Sequence, residues 1–219
     1  MALSDQVDNY CERVGLDFWS EPLNAVTNAA FLAAALAAFV LWRRRTPGDL
    51  PALALIAIVL ATGIGSFLFH TFATNWASLA DVIPIALFIH VYLFLALMRY
   101  LELSWWTALG IVILFFAVTP FVVRILAPLF GSSAGYAPAL VALYTVGALF
   151  FARDRRLGAP VLAAGAVFTV SLGFRTLDVP LCAQLTTGTH FLWHILNSIV
   201  LFLLLRVLIL QRASYSLTR

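Results

Sequence analysis

The sequence has no lysine: all 13 basic residues among its 219 are arginine. A retinal Schiff base needs a lysine, so the chain is not a seven-helix photoreceptor, and lysine is also removed as a covalent nucleophile. Charge of any kind is scarce. Only 11% of residues are charged, where a soluble domain carries about a quarter. The first 21 residues are polar and acidic and hold no apolar run, so no cleavable signal peptide is expected. No tandem repeat, low-complexity stretch or second domain interrupts the chain, which reads as one domain over 1–219.

What fills the sequence is hydrocarbon. Hydrophobic residues make up 63% of it and the mean hydropathy is +1.00. Its apolar runs reach the ~20 residues that a membrane-spanning helix needs, whereas barrel strands are shorter and alternate. The expected fold is an all-α integral membrane protein with seven spans. They cover Pro22 to Leu41, then 51–72, 80–98, 103–123, 137–152, 159–175 and 188–210. Residues 1–21 form a polar outer segment carrying Asp5, Asp8, Glu12, Asp17 and Glu21 against Arg13.

Arginine placement orients the bundle. With the N-terminus outside, ten arginines fall inside: Arg43, Arg44, Arg45, Arg99, Arg153, Arg155, Arg156, Arg206, Arg212 and Arg219. Arg13, Arg124 and Arg175 are the three outside. The positive-inside rule then predicts N-out and C-in. The formal charge of +3 is thus sorted by side, and no nucleic-acid partner is expected. Trp76, Trp105 and Trp106 read as interfacial anchors.

The chemistry is concentrated at one depth. His190 and His194, four apart at the start of span seven, share a helix face and can grip one metal ion. The other reading is two separate hydrogen-bonded core histidines. His70, near the outer end of span two, and Asp81, at the outer start of span three, lie at the same level. Ionisable groups inside a membrane point to function. Three imidazoles leave a fourth zinc position open, the arrangement of a catalytic site, although iron, copper and nickel also accept imidazole. Zinc lowers the pKa of a bound water to about 7.

Asp81 suits a general base that takes a proton from that water and passes it to a leaving group. Ser78-Leu79-Ala80-Asp81 equally resembles a helix capping box. Ser66, one turn from His70, is placed to donate to an oxyanion, or to bond the carbonyl one turn back. His90, mid-span, reads as a packing histidine. Asn24 and Asn28 share a face of span one and suit interhelical hydrogen bonds, while Asn197, one turn beyond His194, suits packing or support of the site. Arg175 and Asp178, three apart, suit an interface ion pair.

The set Ser66-x3-His70, Asp81 eleven residues on, and His190-x3-His194 opening the last span resembles the alkaline ceramidase family. That family belongs to a group of seven-helix membrane hydrolases that includes the adiponectin receptors. Tyr10-Cys11-Glu12, Glu21-x2-Asn24-x3-Asn28 and Asp178-x3-Cys182 extend the likeness from about residue 9 to 198. The resemblance implies zinc on His70, His190 and His194, with Ser66 and Asp81 beside it. It implies hydrolysis of the amide of ceramide, or a related lipid amide entering sideways from the bilayer, to a sphingoid base and a fatty acid.

The resemblance also implies a calcium site on Asn9, the Tyr10 carbonyl, Glu12 and Glu21. The family has an acid where this chain has Asn9, and a further oxygen ligand falls at Val14. It implies a disulfide between Cys11 and Cys182 as well; two free thiols are the alternative. A receptor or sensor with a structural zinc is the second functional reading, and a haem- or proton-handling protein the third. A His-x3-His pair on one face disfavours bis-axial haem. With no soluble signalling domain or long tail, the enzyme reading leads.

Overall fold

A computed structural model describes residues 2–216. Met1 and residues 217–219, among them Arg219 of the expected inner tail, lie outside the described residues. The described chain is all-α. Its helices are α1 (Pro22–Thr27), α2 (Ala29–Arg45), α3 (Leu50–Phe72), α4 (Asn75–Arg99), α5 (Trp105–Phe130), α6 (Ala137–Arg153), α7 (Arg155–Leu177) and α8 (His190–Ser216). No strand forms among the described residues, and an isolated bridge pairs Gln6 with Thr74.

Six stretches are long and apolar enough to cross a membrane. One of them, Trp105–Arg153, is 49 residues long and contains both α5 and α6, joined by a 3-10 turn at Gly131–Tyr136. The expected fourth span ended at 123, but α5 runs on to Phe130, so Arg124 lies within a helix rather than in a connection. The first span is broken at Asn28. Its side-chain amide donates to the Asn24 carbonyl at 2.9 Å, and its own backbone N–H turns to Ala25 instead.

Local chemistry sets most ends. Asp49, Ser104 and Asp154 accept backbone N–H groups at the starts of α3, α5 and α7, supplying partners that a helix start otherwise lacks. Arg43, Arg44 and Arg45 occupy the last turn of α2, where cations suit the helix dipole. α4 begins differently. The N-terminal segment runs over the α3–α4 turn, and the carbonyls of Asp5 and Leu3 accept the N–H groups of Asn75 and Trp76. Main-chain oxygens thus replace a side-chain cap, and the helix starts five residues before the expected 80. Asp81 is therefore buried in its second turn, and the capping-box reading of Ser78 to Asp81 is corrected.

α8 is the central helix, with Trp193, Val200, Leu201, Leu204, Leu205, Val207, Leu208 and Ile209 buried, whereas Ala108 is the one buried residue of α5. It packs chiefly on α7 and α2, and α3 packs most extensively on α4. Phe31, Leu55, Phe88, Val161 and Leu205 are among the buried residues between them. At the end remote from the histidines, Arg99 makes paired 2.7 Å bonds to Asp49, whose carbonyl accepts from Trp42.

The α3–α4 contact is closest where it matters most. Pro84 has no N–H, so the Ala80 carbonyl loses its usual donor. That carbonyl lies against Gly65, and a methyl group there would overlap it. Gly65→Ala should push the two helices apart next to Ser66 and Asp81. The expected cost is about 1–3 kcal/mol, read as a melting temperature several degrees lower. An unchanged melting temperature would mean that the helices are not in this contact.

Candidate metal centre

His70 closes α3, and His190 and His194 open α8, which brings all three to one point. Their rings are 4.6–5.2 Å apart between centroids, and one potential ligand atom from each lies within 4.8 Å of the others. All three side chains are buried. Each ring carries a nitrogen with no hydrogen-bond partner: Nε2 of His70, Nε2 of His194 and Nδ1 of His190. Leaving such groups unpaired in a protein interior costs about 1–3 kcal/mol each. Three such rings, clustered this closely and each with an unpaired nitrogen, make a donor set that fits a small cation with affinity for imidazole.

Opposite ring atoms are held. Glu21 Oε2 lies 2.6 Å from His70 Nδ1, and the Thr27 hydroxyl lies 3.0 Å from His194 Nδ1. Carboxylates and hydroxyls in these positions fix ring orientation and tautomer. Tyr10 stacks on His190 with ring centroids 3.8 Å apart. Burial by itself would raise the Glu21 carboxyl, but His70 and Arg13 outweigh it and hold it below the ordinary carboxylate range.

Asp81 is buried beside this cluster, with Oδ1 unpartnered and Ser66 interacting with its carboxyl. Both residues come from the tight α3–α4 contact. The helix geometry needs no further help to present them: Ser66 is one turn before His70 on α3.

Asp178 holds the start of α8. Its Oδ1 accepts from the backbone N–H groups of Thr189 and His190 at 2.7 and 2.8 Å, and its Oδ2 from Cys11 at 3.0 Å. Gly188 makes this possible. Its φ is +61°, and any side chain there would meet Asp178 and the Cys11 Cβ. The expected Arg175–Asp178 ion pair is corrected. Asp178 is taken by backbone donors, while Arg175 donates to the Ser132 and Ser133 hydroxyls and lies 5.1 Å from the Tyr136 ring centre. Cys11 and Cys182 meet, with their Cα atoms 5.4 Å apart.

The remaining residues singled out in the sequence fall as follows. Glu12 accepts from the Leu23 and Asn24 N–H groups, capping α1. Asn24 also donates to Glu21 at 3.1 Å, so it supports the centre rather than packing alone. His90 bonds the Ala86 carbonyl at 2.7 Å and packs on Phe115 and Phe116, away from the cluster. Asn9 is exposed. Trp76, Trp105 and Trp106 are exposed, as anchors would be. Sequence reasoning missed Arg13, Thr27 and the role of Glu21 toward His70. The contacts that join them to the histidines span 49 or more residues, and only the signal of an acid beside a span was available.

Below the centre lies an apolar cavity bounded by α4, α6, α7 and α8, with Phe88, Tyr92, Val146, Phe168, Asn197 and Leu201 in its wall. Ile85 and Asn197 place its upper end one helical turn from Asp81 and His194. A second cavity of about 700 Å³ between α4, α5 and α6 shares Leu93, Ala142 and Val146 with the first. The two adjoin at these residues, and the second is walled by the loosely packed α5.

No curated relative matches the chain. A family model described as ceramidase matches residues 6–219.

Proposed function

Because the chain belongs to the ceramidase family, we propose that it is a zinc-dependent intramembrane hydrolase that cleaves the amide of ceramide to a sphingoid base and a fatty acid. The observation that carries this reading is the set of three buried, unpartnered imidazole nitrogens beside a buried carboxylate with one unpartnered oxygen. His70, His190 and His194 would hold the zinc, which would supply Lewis acidity and lower the pKa of a water to about 7.

The protein's own groups do the rest. Asp81 takes the proton of the attacking water and returns it to the departing amine nitrogen, so that acid and base steps balance in one carboxylate. Ser66 donates to the carbonyl oxygen as negative charge develops there. Glu21 and Thr27 keep the His70 and His194 rings turned with their free nitrogens inward. The paired apolar cavities suit the hydrocarbon chains of a lipid that enters sideways past α5.

The membrane arrangement belongs to the same reading: one domain of seven spans, with α5 and α6 as separate crossings, N-out and C-in. The histidine centre then faces the periplasm or an organelle lumen. An oxidising compartment on that side suits a Cys11–Cys182 disulfide. Alkylation without reductant should label neither cysteine. Reduction should destabilise the protein by about 2–4 kcal/mol, seen as a lower melting temperature in detergent. Full labelling of both thiols in unreduced protein would end the disulfide assignment.

The direct test pairs metal content by ICP-MS with fatty-acid release from labelled ceramide, on wild type and His194→Ala. One zinc per chain in wild type, lost with hydrolysis in the variant, is the expected result. Zinc without hydrolysis of any lipid amide would favour a receptor with a structural metal. A folded wild type that neither holds nor takes up zinc would overturn the metal centre.

A further inference from the structure

Arg13 is buried at a point where hydrolysis makes no use of an arginine. Its guanidinium reaches three separate segments. Nε pairs with Glu21 Oε1, one terminal nitrogen donates to the Gly15 carbonyl at 3.0 Å, and the other donates to the His70 carbonyl at 3.2 Å. One cation therefore fastens the N-terminal segment, the entry to α1 and the last turn of α3. The carbonyl end of a helix is where positive charge is stabilised.

This is the region in which the ceramidase resemblance implies calcium on Asn9, Tyr10, Glu12 and Glu21. The donor set does not fit that ion. Calcium takes six to eight oxygens, carboxylates among them. Here both Glu12 oxygens accept from the backbone at the start of α1. Both Glu21 oxygens accept from Arg13, His70 and Asn24. Asn9 is neutral and exposed, and Val14, which offers no side-chain oxygen, is 90% exposed. What the segment contains instead is a cation of its own, already paired with the acid that calcium would need.

We propose that Arg13 replaces calcium as a built-in cation, making the stability and metal retention of this chain independent of calcium. An arginine is always charged and presents five donors in a fixed plane, so it ties several acceptors in set directions without an ion from solution. Arg13 is a positioning residue. It acts through Glu21, which orients the His70 ring, and through the His70 carbonyl.

The experiment measures melting temperature and bound metals in detergent, with excess calcium or with a calcium-selective chelator, and so does not depend on hydrolysis. Its failure would leave the hydrolase reading standing, and the converse holds. Wild type should contain no stoichiometric calcium and should melt at the same temperature in both buffers. Arg13→Gln should melt roughly 10 °C lower and hold zinc about 10-fold more weakly. Arg13→Lys, which keeps the charge, should recover part of both. One calcium per wild-type chain, or a wild-type melting temperature that falls with the chelator and returns with calcium, would overturn the proposal. So would an Arg13→Gln protein with wild-type melting and zinc retention. Should Arg13→Gln not accumulate, the wild-type calcium content and melting comparison decide the matter alone.

Discussion

Asp81→Asn is expected to slow ceramide hydrolysis by about 10²–10⁴-fold, the range for a lost general acid–base, while zinc content stays at the wild-type level. The substitution is nearly isosteric, so the tight contact between Gly65 and Ala80 is undisturbed. It removes only the ability to accept and return a proton. Asp81 is not the group that holds a histidine ring; Glu21 and Thr27 do that for His70 and His194. Metal content and turnover should therefore separate in this variant, whereas they fall together in His194→Ala. Turnover within a few-fold of wild type, or loss of zinc along with activity, would remove Asp81 from the proton-transfer role.

Glu21→Gln should be the most destabilising single change near the centre. Its carboxylate is buried and neutralises Arg13, whose side chain is also almost wholly buried. Removing one partner of such a pair leaves an uncompensated charge, at a cost of about 3–5 kcal/mol. The same change weakens the acceptor on His70 Nδ1, and losing such support lowers metal affinity by about 10–100-fold. Thermal melting and zinc titration should both register it. Combining Glu21→Gln with Arg13→Gln should restore part of the stability, since no charge is then left unpaired, but should not restore zinc affinity. Equal melting of wild type and Glu21→Gln would show that the pair contributes little.

The histidine cluster was legible in the sequence because histidine is so scarce there. Only four are present, two of them one helical turn apart, and the depth of a third could be placed by counting along its span. Helix positions were legible because the apolar runs match the bilayer in length. The start of α4 was not, since its cap comes from main-chain oxygens at Leu3 and Asp5, which have no signature in residue type. Arg175 and Asp178 have the spacing of an ion pair. Their true partners, Ser132 and Ser133 for one and the N–H groups of Cys11, Thr189 and His190 for the other, follow from how distant segments meet. Glu21 was visible as an acid of the outer segment, but its task toward His70 depends on the break at Asn28 and the path of residues 11–21. Neither can be read from periodicity.

The bond from the Cys11 backbone to the Asp178 carboxylate, 167 residues later, has a consequence for biosynthesis. The N-terminal segment is made first, yet Asp178, Cys182 and His190, which it meets, are made near the end. Until α8 has entered the membrane, Asp178 has no Thr189 or His190 to cap and His70 has no fellow ligands. Glu21 and Arg13 can already reach each other, Asn24, Gly15 and His70. A nascent chain that stalls after α7 therefore keeps the outer segment's contacts to α1 and the α3–α4 turn but lacks two of the three clustered histidines. The histidine cluster is thus completed only when the start of α8 is in place, as a late check on insertion.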